Sequence, residues 1–278
     1  MSFFEKMIAI FQTKMERPEA WGWFHLLFWG LSIGAAVLLC VLHKKDKPQR
    51  VRWVVLTVAI TVILLEIYKQ ITFSYSDGTT FDYQWYAFPF QFCSTPMYVG
   101  LLAGILGKGK IHDALCAYLA TYAMFAGLIT MVIPNDIYID IVGINIQTSV
   151  CHGSMITIAI YLLYTGHVKL QHKTILKAMS VFACTMGIAM ILNEIAFRSG
   201  LKETFNMFYI SPHHEPSLLV YKDVQAVVPF PFCTIIYFLC FTLAAYLILL
   251  AAIGIGKLCG LIFKKKDVSE NAEIVNVQ

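Results

Sequence analysis

RWVVLTVAITVILLEIYKQIT, residues 52–72, is the stretch whose reading decides the fold. No charge interrupts residues 53–65, and only Glu66 and Lys69 break the apolar run near its far end. A helix that crosses the hydrocarbon core needs roughly 20 apolar residues, and this segment has that length. Working outward, comparable stretches lie near 22–42 on one side and near 88–107, 112–133, 146–165, 175–197 and 229–257 on the other. The whole chain agrees: 58% hydrophobic residues, 14% charged and a mean hydropathy of +0.68 over 278 residues exceed what a water-soluble domain carries. The expected fold is therefore all-α and polytopic, with seven transmembrane helices over 22–262. An amphipathic segment precedes them at 1–21, and a basic then acidic tail follows at 263–278. The span near 22–42 lacks a convincing small-residue cleavage site and is expected to be retained.

Lysine and arginine in short loops stay on the cytoplasmic side during insertion. Fourteen of the 21 follow spans one, three, five and seven: Lys44, Lys45, Lys47, Arg50, Arg52, Lys108, Lys110, Lys169, Lys173, Lys177, Lys257, Lys264, Lys265 and Lys266. The N-terminal segment and the loop after span six hold Lys6, Lys14, Arg17, Arg198, Lys202 and Lys222, and the loops after spans two and four hold none. That asymmetry predicts an N-terminus outside, a C-terminus in the cytoplasm and a cell-membrane location. The net charge of +4 is thus an orientation signal, with Lys264 to Lys266 suited to anionic headgroups. It does not point to nucleic acid, because the basic residues are scattered and lack a water-facing aromatic platform. Membrane lipids are the expected partners.

Phe3, Phe4, Met7, Ile8, Phe11 and Met15 recur at helical spacing and predict an interfacial helix. Trp21, Trp23, Tyr83, Trp85 and Tyr86 read as interface anchors. The eight cysteines (Cys40, Cys93, Cys116, Cys151, Cys184, Cys233, Cys240 and Cys259) all fall within or beside spans, so no disulfide framework is expected. There is no CxxC pair, and neither a metal nor a cofactor motif is read from the sequence. Asp267 onward reads as a short polar tail without fixed structure.

Ionisable and amide groups inside apolar spans are costly and face a protein interior or a water-filled cavity. Under the topology above, Glu66, Lys69, Gln91, Cys93, Gln147, Thr148, His152, Asn193 and Glu194 all fall in one layer on the order of 10 Å deep beneath the outer surface, at about 1.5 Å per residue. Singly, each has an ordinary reading: Glu66 and Lys69 as an i,i+3 ion pair, His152 as a hydrogen-bonded core histidine, Glu194 as a group reaching water. Their coincidence at one depth across four helices predicts a polar pocket open toward the outside.

In Phe88-Pro-Phe-Gln-Phe-Cys-Ser-Thr-Pro96, Pro89 suits a helix start, and Pro96 is expected to kink span three and open room beside Cys93. Thr148 and His152 share a helix face. A thiol in an apolar site needs a base to become a nucleophile, and His152 is the candidate. In order, Pro89-Phe-Gln-Phe-Cys93, Ala126-Gly-Leu-Ile-Thr-Met-Val-Ile-Pro134, Gln147-Thr-Ser-Val-Cys-His-Gly153 and Phe205-Asn-Met-Phe-Tyr-Ile-Ser-Pro212 resemble the bacterial YwaF-like membrane proteins. Those are distantly similar to eukaryotic transmembrane protein 164, and the resemblance covers roughly residues 50–255. It implies phospholipid acyl transfer with an essential cysteine matching Cys93. A family histidine matches His152 and a family asparagine matches Asn206. Ser94 stands where the eukaryotic relative has histidine, so an adjacent-histidine mechanism does not carry over.

Two functional readings follow. In the first, the protein is a lipid acyltransferase with Cys93 as nucleophile, His152 as base, and Asn206 stabilising the oxyanion. In the second it is a small-molecule transporter or ligand-binding protein, with Glu66, Lys69, Gln91, Gln147, Thr148, Asn193, Glu194 and Tyr209 forming a binding site or proton path. No inverted repeat is evident. The long loop 198–228 reads as a lid that turns Asn206 and Tyr209 inward, and its His213-His214-Glu215 run is a weak metal signal.

Overall fold

A computed structural model describes residues 3–43, 49–75, 78, 80–134, 137–201, 203–215 and 218–275. Side chains are described up to Leu258, Leu219 excepted. Lys44, Lys45, Lys47, Lys202 and Pro216 lie outside the described residues, as do the side chains of Cys259 and Lys264 to Lys266.

The described residues form helices and connecting turns with no strand, only an isolated bridge between Lys14 and Ile141. In chain order the helices are α1 (Phe3–Phe11), α2 (Trp23–Val41), α3 (Gln49–Ser74), α4 (Thr95–Leu106), α5 (Lys110–Tyr118), α6 (Met124–Val132), α7 (Val142–Tyr164), α8 (Thr174–Arg198), α9 (Leu219–Val227) and α10 (Phe232–Val275). A π-helical turn, Leu119–Ala123, joins α5 and α6 into one rod. Among the described residues six helices are long and apolar enough to cross a membrane: α2, α3, the α5–α6 rod, α7, α8 and the Phe232–Leu258 part of α10.

The third expected span takes a different form. Only Thr95–Leu106 is helical, and Phe88–Ser94 runs irregularly before it. Pro96 is not the expected mid-span kink. It occupies the first turn of α4, where a missing N–H breaks no intrahelical bond. The Thr95 hydroxyl donates to the Phe92 carbonyl at 2.9 Å and pairs with the Tyr118 hydroxyl at 2.7 Å, which fixes the start of α4 against α5. At its other end α4 stops at Gly107 in the left-handed region (φ 69°), a conformation glycine adopts without a Cβ penalty. Arg52 of α3 donates from Nε to the Gly104 carbonyl at 2.8 Å, placing a cation at the negative end of α4.

Small residues let the helices approach where no hydrophobic effect drives them together. Gly100 and Gly104 form a GxxxG face against α3. A Cβ on Gly104 would lie 2.7 Å from the Leu56 Cβ. A Cβ on Gly127 of α6 would lie 2.6 Å from the His152 carbonyl of α7. Thr157 of α7 donates to the Ser32 carbonyl of α2 at 2.9 Å. The α6 C-terminus, ended by Pro134, has its Met131 carbonyl taken by His25 Nε2 at 2.8 Å and Trp29 Nε1 at 2.9 Å, which satisfies one of the last orphan acceptors. His25 and Trp29 are thereby structural.

The N-terminal segment docks onto the bundle as well as being amphipathic. Tyr68 donates to the Phe11 carbonyl at 2.7 Å, Phe4 meets Tyr75 edge-on at 4.9 Å, and Lys14 pairs with Asp140 at 2.7 Å. These contacts lay it over the ends of α3 and α7 where the polar layer was expected.

Candidate functional site

The polar residues assemble in two connected groups. The first centres on Glu66, which is 5% exposed. Its Oε1 accepts from Lys69 Nζ at 2.8 Å and Gln70 Nε2 at 2.7 Å, and its Oε2 from Gln147 Nε2 at 3.2 Å. An ionised carboxylate offers about four acceptor positions, and three are occupied here. Gln70 also donates to the Ala87 carbonyl at 2.8 Å, tying α3 to the chain just before Phe88–Ser94. The Glu66 and Lys69 charges act on both Cys93 and Cys151, and the Lys69 charge acts on His152. The ion pair, the two thiols and the imidazole thus share one neighbourhood.

His152 is buried, and its Nδ1 lies 2.7 Å from the Thr148 carbonyl, with the Thr148 hydroxyl at 3.4 Å. A carbonyl can only accept, so Nδ1 carries the proton and the neutral ring keeps its lone pair on Nε2. That nitrogen has no hydrogen-bond partner among the described residues, and no hydrogen bond among them joins Cys93 to His152.

The second group holds the loop after α8. Asn193 receives the Met207 N–H on Oδ1 at 2.7 Å and donates from Nδ2 to the Met207 carbonyl at 3.0 Å. Gln91 likewise receives the Phe208 N–H at 2.8 Å and donates to the Asn206 carbonyl at 3.0 Å. Two amides therefore substitute for a sheet partner, allowing irregular backbone to be buried with its polar groups satisfied. Met207 and Phe208 are fully buried, and the Phe208 ring lies 5.9 Å from Phe92 and 6.2 Å from Phe182. Phe208 and Tyr209 both adopt positive φ (59° and 58°). Such strain in side-chain-bearing residues persists where surrounding contacts over-determine it, and it clusters at functional sites.

Asn206 differs from its neighbours. Its Oδ1 accepts the Ser211 N–H at 2.9 Å, which fixes the amide orientation. Its Nδ2 is buried with no hydrogen-bond partner, at a cost of about 1–3 kcal/mol for such an unmade bond. Beneath the first group, a cavity of about 30 Å³ is lined by Val55, Pro96, Leu119, Cys151, Ser154 and Ile158. That is close to the share of one water in the liquid, about 30 Å³, so a lipid chain needs the bundle to open there.

The structure thus brings together Glu66, Lys69, Gln147, Cys93 and His152, and links them through Gln91 to Asn206 and Asn193. Thr148 orients His152, and partly buried Tyr209 lies on the strained turn. Glu194 stands apart: it pairs with Arg198 at 2.6 Å and with His213 at 3.0 Å. His213 also stacks on Phe197 with ring centroids 3.5 Å apart. Sequence reasoning missed Gln70, whose i,i+4 spacing from Glu66 was a usable signal.

The fold and this buried polar layer define the class, an all-helical multi-pass membrane protein with an internal polar site. Residues 17–251 match the TMEM164 family, and the chain belongs to it. No curated protein and no solved structure matches it.

Proposed function

We propose that this TMEM164-family protein is a cell-membrane lipid acyltransferase of the YwaF-like kind, using Cys93 and His152. The observation that carries the reading is the orphaned Asn206 Nδ2. It is a buried, oriented N–H donor on a loop clamped by Gln91, two residues before the candidate nucleophile. A site that retains an unpaired donor at such a cost suits a ligand that brings an acceptor, and the oxygen of a reacting acyl group is one.

His152 Nε2 takes the Cys93 thiol proton through one bridging hydroxyl or water, or after a rotamer change on lipid binding. The sulfur bonds to the acyl carbonyl carbon, the ester C–O bond breaks, and the proton returns to the leaving alcohol oxygen. A second alcohol attacks the thioester carbon, giving its proton to His152; the C–S bond breaks and that proton passes from His152 to sulfur, restoring the Cys93 thiol. The Asn206 amide donates to the oxyanion in both halves.

The topology proposed with this reading is seven crossings, N-out and C-in. The 12-residue α4 spans only about 18 Å at 1.5 Å per residue, and Phe88–Ser94 supplies the rest of that crossing. Irregular backbone at membrane depth is tolerated where its polar groups find partners within the protein; here the Ser94 N–H donates to the Gln91 carbonyl and the Thr95 hydroxyl to the Phe92 carbonyl. The transport reading is the weaker one, because Lys69, Gln70 and Gln147 already occupy the Glu66 carboxylate.

The test compares acyl-probe labelling and lipid profiles for the intact protein and for Cys93→Ala, His152→Ala and Asn206→Ala. Labelling should vanish in the first and fall sharply in the second. Asn206→Ala should lower turnover by about 10²- to 10³-fold, the cost of one oxyanion donor. Unchanged labelling in both Cys93→Ala and His152→Ala sinks the proposal.

A further inference from the structure

A second cluster lies where the α4–α5 turn meets the loop between α7 and α8, away from the polar layer. His112 Nε2 is 2.7 Å from His167 Nε2 and 3.6 Å from Cys116 Sγ, and all three atoms lie within 4.8 Å of one another. His112 and Cys116 are four apart on α5, 2% and 0% exposed, whereas His167 is exposed on the loop. We infer that His112, Cys116 and His167 form a binding site for a thiolate- and imidazole-preferring transition metal ion, of which Zn²⁺ is the probe of choice.

Three features carry this. The first is donor chemistry: two imidazoles and a thiol are the ligand types zinc selects, and a site with three protein ligands keeps a fourth position for water. The second is distance. Tetrahedral ligation with Zn–N about 2.0–2.1 Å and Zn–S about 2.3 Å places N and S about 3.6 Å apart and two nitrogens about 3.3 Å apart. The Cys116 to His112 separation already has the required value. The His167 nitrogen has to withdraw by roughly 0.6 Å, which an exposed loop side chain can do.

The third is the outer shell. His112 Nδ1 donates to the Ala103 carbonyl at 2.9 Å, so the lone pair of the neutral ring lies on Nε2, facing the other two ligands. A backbone carbonyl on the far nitrogen is the usual orienting partner of a metal-binding histidine. In the present arrangement His167 Nε2–H donates to that lone pair. When the ion binds, the His167 proton moves to Nδ1 through solvent exchange and the Cys116 thiol releases its proton, for a net release of one. The bound ion would pin α5, and through Ala103 the end of α4, to the α7–α8 connection. The nearby Asp113 is engaged with Lys177 at 3.1 Å and is not needed as a ligand.

The experiment uses full-length protein in detergent with any affinity tag removed, titrated with Co²⁺ as a spectroscopic stand-in and then with buffered Zn²⁺ in competition. One Co²⁺ per chain is expected, with a near-ultraviolet thiolate-to-cobalt charge-transfer band that Zn²⁺ abolishes. Cys116→Ser should remove the band. His167→Ala, at an exposed position that leaves the buried packing intact, should weaken Zn²⁺ binding at least about tenfold. Absence of the band in the unaltered protein, or a band and affinity indifferent to both substitutions, overturns the site.

Discussion

Replacing Glu66 with Gln changes one atom and should be among the most damaging conservative substitutions in the bundle. Lys69 Nζ lies 2.8 Å from Glu66 Oε1, with the two side chains only 18% and 7% exposed. Removing one partner of a buried pair leaves the other charge uncompensated, at about 3–5 kcal/mol. The introduced amide would still accept from Gln70 or Gln147, and Lys69 can shift its ammonium toward water along its aliphatic stem. Those two effects place the expected cost near the lower end, about 3 kcal/mol. The double variant Glu66→Gln/Lys69→Met removes both charges while filling the space, and should return to within about 1 kcal/mol of the original protein. The cycle would then report a coupling of about 2 kcal/mol or more, as expected of residues in one network. Reversible unfolding in mixed micelles by a denaturing detergent, followed by tryptophan fluorescence, measures all four corners. A single-variant cost below about 1 kcal/mol, or a double variant no more stable than Glu66→Gln alone, would refute the buried-pair account.

Two further outcomes can be checked in the same assay. Asn193→Ala strips the Met207 N–H of its partner and leaves the Met207 carbonyl with only the long bond from the Ile210 N–H at 3.5 Å. With Met207 fully buried, this should cost about 1–3 kcal/mol, the cost of one buried group left unmade. Gly104→Ala drives a Cβ to 2.7 Å from that of Leu56, and the overpacking of α3 against α4 should cost about 1–3 kcal/mol; a neutral result would mean that α4 is free to move away.

Residues 53–65 and the other apolar runs determined, without any tertiary information, that this chain is a helical membrane protein. Lipid offers no hydrogen bonds, so a long apolar segment must satisfy its own backbone by becoming a helix. The ordered motifs around Cys93, His152 and Asn206 likewise made family membership legible, and matching depths put Glu66, Lys69, Gln91, Gln147 and Asn193 in one layer. What the sequence did not contain was the partner of each group. Hydropathy read 88–107 as one continuous span because it counts apolar side chains, whereas the backbone of Phe88–Ser94 is irregular and its Gln91 side chain is tied to the distant Asn206–Phe208 loop. Asn193 and Glu194, adjacent in sequence, went opposite ways because neighbouring positions on a helix point about 100° apart: one clamps Met207 and the other pairs with Arg198 and His213. His112 and Cys116 had a visible i,i+4 spacing, but His167 joins them only where the loop after α7 folds back against α5. Solvent and backbone hydrogen bonding fixed the class from local chemistry alone. The site depended on contacts between residues as far apart as Gln91 and Asn206, which only the packed bundle brings together.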